Sequence, residues 1–185
     1  MQLTRHLLAL ATSTMAAFVT LSPVAVQAED LPSAVQDKVD KAKKRLVEMA
    51  ADPAVLAAVR EANTQDSKGM NNGKWIELAD GAPFIKAILG SKVSQQIGKW
   101  ETQDDTINKL LLRDAKGNLV AASVRPLIYN NANRPVFANA IKGQAWAANE
   151  IKPDTTTQIP SVHVSAPVLD GGKPIGVLHT GVTAK

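Results

Sequence analysis

The chain has 185 residues, 45% of them apolar and 21% charged, which is the balance of a folded globular protein and excludes a disordered one. Its net charge of +4 is too small and too dispersed to signal a nucleic-acid partner. Cysteine is absent, which excludes disulfides, zinc–thiolate sites, iron–sulfur clusters and cysteine catalysis, and three histidines argue against a histidine-rich metal centre.

The first thirty residues read as an address. Arg5 and His6 precede a largely apolar run over 7–21, and Val26-Gln27-Ala28 supplies the small residues of a cleavage site. The run has the length of a signal-peptide core and is short for a bilayer span. Residues 1–28 are therefore expected to be removed, leaving an exported chain that begins at Glu29, in the periplasm or outside the cell. No later stretch is apolar enough for a membrane span, so none is expected after cleavage.

Residues 31–63 carry helical periodicity. Val35, Val39, Ala42, Leu46, Met49 and Ala50 form one apolar stripe, with most of the lysines and acids off it. Asp52-Pro53 reads as an N-cap followed by proline in a first helical turn, so the helix is restarted or kinked there. Residues 64–72 read as a loop, and 82–100 as a second helical region weakened by Gly90 and Gly98.

After Gln103 the period changes to that of strands. Strands are expected over 107–112 and 119–124, joined by the turn residues 113–118, and then over 144–151, 162–168 and 175–182. Between them lie a long Asn-rich loop over 125–135, a short helix near 136–141 and a polar loop over 153–160. Helices to one side of antiparallel hairpins make an α+β domain.

The words in this order resemble the extracytoplasmic Cache, or PDC, sensor domains, a PAS-like family. The resemblance is carried by Ala51-Asp52-Pro53-Ala54-Val55, by Ala62-Asn63 and Trp75, and by the hairpin from Leu111 through Arg113-Asp114-Ala115-Lys116-Gly117-Asn118 to Ser123. Tyr129 to Phe137, Val164 to Asp170 and Pro174 to Leu178 complete it. It implies a long N-terminal helix (29–66) packed on a five-stranded antiparallel sheet, within a single PAS-like core over 67–185. It also implies a small-ligand pocket on the opposite face, and sensing, not enzymatic chemistry. Relatives place this domain outside a kinase, a chemoreceptor or a cyclic-dinucleotide enzyme. Here Lys185 follows directly on the last strand, so the expectation is a stand-alone binding protein, with a membrane receptor or sensor kinase as a candidate partner.

Catalytic motifs are lacking. There is no Gly-x-Ser-x-Gly, and Ser165 lies within a strand pattern. Asp104-Asp105 reads as a solvated turn, and Asp170-Gly171-Gly172-Lys173 as a hairpin turn, not a phosphate loop. No metal or cofactor is expected. If Gly171-Gly172 is a two-residue turn, Asp170 pairs with Lys173, and counting back puts His163 opposite Thr180 and His179 opposite Val164. The two histidines then project from opposite faces; a bulge would reverse this. In this register Val164, Ala166, Val168, Ile175, Val177 and His179 face the helix. His163, Ser165, Pro167, Gly176, Leu178 and Thr180 form the small, partly polar face that suits a ligand.

Five residues are candidates for the ligand site. The resemblance puts a polar contact at Arg125, whose guanidinium suits a carboxylate, and a wall at Trp146. Tyr129, the only tyrosine, opens the long loop and can close over a ligand. His163 lies on the ligand face, and Asp154, in the loop before it, can receive an ammonium group. The expected function is binding of a small molecule, for which a small organic acid is a better fit than an amino acid. The alternative is a non-catalytic interaction module with a filled pocket that regulates a partner protein.

Overall fold

The computed structural model describes residues 30–185; the expected signal peptide over 1–28 lies outside them. Helix α1 (Ser33–Ala50) buries Val35, Val39, Ala42, Leu46, Met49 and Ala50, the stripe that its 3.6-residue period predicts. It ends at Ala50, and α2 (Pro53–Thr64) begins after the two capping residues Ala51 and Asp52. The restart is chemical. Asp52 Oδ1 accepts from the Ala54 amide at 2.8 Å, Oδ2 accepts from Gln96 Nε2 at 3.0 Å, and Pro53 fills the first turn, where no amide partner is needed.

Three short helices follow: α3 (Asn72–Glu77), α4 (Pro83–Leu89) and α5 (Lys92–Thr102). The single helical region expected over 82–100 is therefore two. A side chain at Gly90 would sit 2.7 Å from Lys86 O, and Ser91 opens α5 by accepting from the Ser94 amide at 3.1 Å. Helix α3 had no periodic signal; it is anchored by Trp75, which is wholly buried and donates from Nε1 to Pro126 O at 2.8 Å.

The strands are β1 (Ile107–Asp114), β2 (Leu119–Ala122), β3 (Trp146–Ala147), β4 (Lys152–Pro153), β5 (Pro160–Asp170) and β6 (Lys173–Thr183). They form one antiparallel sheet in the order β2-β1-β6-β5-β3, with β4 also on β5. The α+β class stands, with six strands in place of five. The third strand expected over 144–151 shrinks to two residues, and Lys152–Pro153 adds the sixth. A helix, α6 (Pro135–Ala138), and a 3-10 turn (Ala140–Lys142) lie between β2 and β3.

The register of the last hairpin differs from the expectation. Asp170 does pair with Lys173 and Leu169 with Pro174, but Val168 then pairs with Gly176. Ile175 is the extra residue of a β-bulge, and its carbonyl accepts from Asn63 Nδ2 of α2 at 2.8 Å. Beyond the bulge His163 pairs with Gly181, and Ser165 with His179. His163 and His179 therefore share a face, and the face assignments for β6 are exchanged. Val162, Val164, Ala166, Val168, Leu178 and Val182 pack in the core with α1 and α2. His163, Ser165, Pro167, Val177 and His179 lie on the other side.

Candidate functional site

On β1, Lys109, Leu111 and Arg113 alternate with Leu110 and Leu112. The leucines at 110 and 112 join the helix-side core, and period two sends the other three to the opposite face. The cross-strand pairs then assemble rows on that face. Trp146, Ser165, His179 and Leu111 form one row, and Arg113 and Val177 belong to the next. The loop over 123–134, with α6 and the 3-10 turn, covers it.

Arg113 lies at the centre and is fully buried. Its Nε–H donates to His179 Nε2 at 3.3 Å, Nη2 donates to Ile128 O at 3.3 Å, and Nη1 donates to Tyr129 O. All these acceptors are neutral. No carboxylate reaches the guanidinium within ion-pair distance among the described residues. Burial pushes its pKa down to about 9, so it is still a cation at neutral pH. His179 is buried beside it. Burial first, then the charges of Arg113 and Lys109, hold its pKa well below the ordinary value and keep the ring neutral. Its Nε2 lone pair also receives Asn131 Nδ2 at 3.2 Å. That leaves Asn131 Oδ1 buried without a partner, and Ser165 Oγ, opposite His179 in the sheet, is likewise unpartnered.

Asp154 and His163, two of the expected site residues, do meet. His163 Nε2 donates to Asp154 Oδ2 at 3.3 Å, and Asp154 Oδ1 takes Lys109 Nζ at 2.5 Å and the Thr156 and Thr157 amides at 2.8 and 3.0 Å. Burial works to raise the Asp154 carboxyl, but the bonds from His163 and Lys109 outweigh it and hold it far below the usual carboxylate range. For Lys109 burial is the larger effect and lowers its pKa. Asp154 is thus committed to Lys109 and offers no free charge to an ammonium group.

Trp146 is half-buried, in the cross-strand pair with Ser165. It also borders a hollow of about 600 Å³ between the start of α1 and β3. Arg125 lies at the β2 end, and Tyr129, whose carbonyl meets Arg113, packs its ring toward the same end. The Arg125 guanidinium stacks 5.2 Å from the Trp75 ring and donates to Trp75 O at 2.8 Å, to Leu78 O at 3.0 Å and to Asp80. The Tyr129 ring packs 5.7 Å from Trp75 and 5.9 Å from Phe84. It borders a second hollow, of about 650 Å³, between α2 and α4–α5. The structure therefore does not bring Arg125 together with His163 and Asp154. The guanidinium behind the sheet is that of Arg113, which sequence reasoning assigned to turn chemistry. The available signal was the alternation Lys109, Leu111, Arg113 through an apolar strand.

Among the described residues, no group of three acids or histidines is placed to hold a metal ion, and no helix is long and apolar enough to cross a membrane. No protein-family model and no curated protein matches the chain. Solved structures similar to it include the V. cholerae histidine kinase DctB sensor domain, at 17% identity and a TM-score of 0.43, covering 82% of this chain and 55% of that one. The ligand-binding domain of the Pseudomonas aeruginosa PAO1 amino acid chemoreceptor PctC, solved with GABA, has 17% identity, a TM-score of 0.43 and coverage of 82% and 56%. An extracellular ligand binding receptor from Desulfohalobium retbaense has 14% identity, a TM-score of 0.45 and coverage of 83% and 25%. The chain spans little more than half the length of the first two and a quarter of the third.

Proposed function

We propose that the protein is an exported small-molecule-binding domain of the sensor type, whose ligand is a small organic acid held on the polar face of the sheet. The observation that carries this reading is Arg113. It is a buried cation with no carboxylate partner, beside two buried polar atoms that bond to nothing. Burial penalises the charge, the nearby Asp114 carboxylate offsets only part of that, and a ligand carboxylate would add a charge-assisted bond. Trp146 supplies an apolar wall on the neighbouring strand, His163 and Asp154 set the next row, and Arg125 and Tyr129 secure the covering loop against α3. Catalysis is not part of this reading. A membrane receptor or sensor kinase is the partner class that fits a binding domain of this kind.

A second reading, an interaction module with a filled pocket, is favoured by one fact: the donors of Arg113 all reach protein acceptors. A thermal-shift screen of small carboxylates separates the two, since a ligand that binds only the native state raises its melting temperature. We expect Arg113→Gln to lose carboxylate binding by roughly tenfold to more than a hundredfold, the worth of a charge-assisted bond. Arg45→Gln, which removes a cation paired with Asp104 on the helix side, should bind like the parent. A screen in which no acid shifts the parent supports the interaction module.

A further inference from the structure

We propose that the hollow between α2 and α4–α5 is a second binding site, independent of the carboxylate reading, that takes a small hydrophobic monoamine. Its volume of about 650 Å³ is that of a small-molecule pocket. One wall is α2, where Ala54, Ala57, Ala58 and Ala62 recur at spacings of three and four and share a face. Their side chains are single methyl groups, which leaves room beside the helix. Phe84 and Ile88 of α4 and Leu119 and Val120 of β2 supply further apolar lining. From Ala54 to Glu61 the wall runs about 10 Å, at 1.5 Å per residue.

The two ends of the hollow differ in charge. Glu61 and Asp66 line it at the C-terminal end of α2, and Asn63, which bonds the Ala115 amide, brings Asp114 to the same end. Glu61 Oε1 accepts from Gln65 Nε2 at 3.0 Å and Asp66 Oδ1 from the Lys68 amide at 3.2 Å. Neither carboxylate joins an ion pair among the described residues. Helix α2 also ends here without a basic residue in its last turn, so the negative end of its dipole is uncompensated. The other end holds Lys92, because Asp52, the cap of α2, bonds Gln96 of α5. Tyr129 is an independent sign of a ligand. It is 4% exposed, and its hydroxyl bonds to nothing among the described residues. The unbonded side-chain atoms that the fold seals are Asn131 Oδ1 and Ser165 Oγ; the Tyr129 hydroxyl is not one of them, so it meets open space, and Tyr129 borders this hollow. Burial, then the Asp114 carboxylate, push its pKa up while Arg113 acts the other way, so the hydroxyl keeps its proton. Its oxygen can still accept from an ammonium group. The rings of Tyr129 and Phe84, 5.9 Å apart, offer faces that attract a cation. An ammonium group is therefore received at the Glu61 end, with its apolar body along the alanines. A carboxylate there would face three acids, and a second ammonium at the far end would face Lys92.

The test is calorimetric titration of the full protein with hexylamine, hexanol, hexanoate and 1,6-diaminohexane, which share one carbon chain and differ only at its ends. Binding that Ala57→Trp abolishes is binding in the hollow, since Ala57 is exposed on the α2 wall and a large ring there fills the space. Hexylamine should bind there about threefold to tenfold more tightly than hexanol, the worth of a charge-assisted bond at a partly exposed site, and hexanoate more weakly than both. Glu61→Gln and Tyr129→Phe should each bring hexylamine toward hexanol while hexanol stays within about twofold of the parent. Diaminohexane should bind more weakly than hexylamine, and Lys92→Gln should narrow that gap. Melting curves identify a variant that fails to fold, and the exposed positions 61 and 92 then decide. Equal binding of hexylamine and hexanol overturns the amine reading, as does a preference unchanged in both Glu61→Gln and Tyr129→Phe, or tightest binding by hexanoate that Ala57→Trp abolishes. Diaminohexane bound as tightly as hexylamine overturns the monoamine. Failure of all four to bind, or binding indifferent to Ala57→Trp, overturns the site itself and leaves the carboxylate reading, which Arg113→Gln tests, where it stood.

Discussion

Lys109 and Asp154 show how much one buried pair can hold. Their side chains are 6% and 0% exposed, and Asp154 also orders the loop before β5 through two backbone amides. Asp154→Asn would leave the Lys109 charge buried and unpaired, so a loss of about 3–5 kcal/mol in unfolding free energy is expected, read by urea titration. His179 sets a pH dependence. Its folded-state pKa lies below its unfolded value, so the unfolded chain binds the extra proton and stability falls as pH drops below about 6.5. The slope should approach about 1.4 kcal/mol per pH unit between pH 6.5 and 5, and His179→Gln should flatten it. Asp154 also has a depressed folded pKa. Its contribution is present above the unfolded carboxyl pKa of about 4 and is lost only as pH falls below that. A parent curve flat from pH 7 to 5 would show that His179 takes up its proton in the folded state.

Among the elements, those with a clean period were legible. The α1 stripe, the Asp52-Pro53 restart and the strands β1, β5 and β6 follow from periodicity and capping alone. What escaped was set by single contacts across the fold. Helix α3 exists because Trp75 finds Pro126, and the break between α4 and α5 depends on the clash at Gly90. The bulge at Ile175, weighed in the sequence only as an alternative, matters most, because its one-residue shift exchanges the faces of β6 and puts His179 on the face of His163. The turn chemistry of Asp170-Gly171-Gly172-Lys173 was legible; the partner that stabilises the bulge, Asn63, lies 112 positions away. Asn63 is bonded on both ends, since its Oδ1 accepts from the Ala115 amide at 2.9 Å. Asn63→Ala should therefore cost about 1–3 kcal/mol by chemical denaturation. A variant as stable as the parent would mean that the bulge carbonyl needs no partner from α2.

At the scale of the whole molecule, one sheet separates two environments. The helix side is apolar and closed by α1 and α2, while the opposite side gathers Lys109, Arg113, His179 and Asp154 beneath a loop. Sequence composition foretold a folded core, whereas Arg125 was a candidate site residue through its place in the family pattern. The structure gives that arginine to α3 and the Trp75 ring. The reading as an exported protein carries its own test. Cleavage after Ala28 should give a mature N-terminus at Glu29, seen by mass spectrometry of the periplasmic fraction. An intact Met1 there would overturn it.

The bulge at Ile175 also governs how the chain tolerates changes in length. Most surface loops absorb the gain or loss of a residue, because nothing beyond them depends on the count. At Ile175 the count is what assigns Val177 and His179 to one side of the sheet and Leu178 and Val182 to the other. Deleting this one residue would force the strand to turn over or the Gly171–Gly172 turn to yield a residue. In the first case aliphatic side chains enter the polar cluster and a histidine enters the core. A single-codon deletion at this position would thus act like a simultaneous substitution of the whole strand, whereas the same deletion in the exposed segment at 65–69 would leave every face as it is.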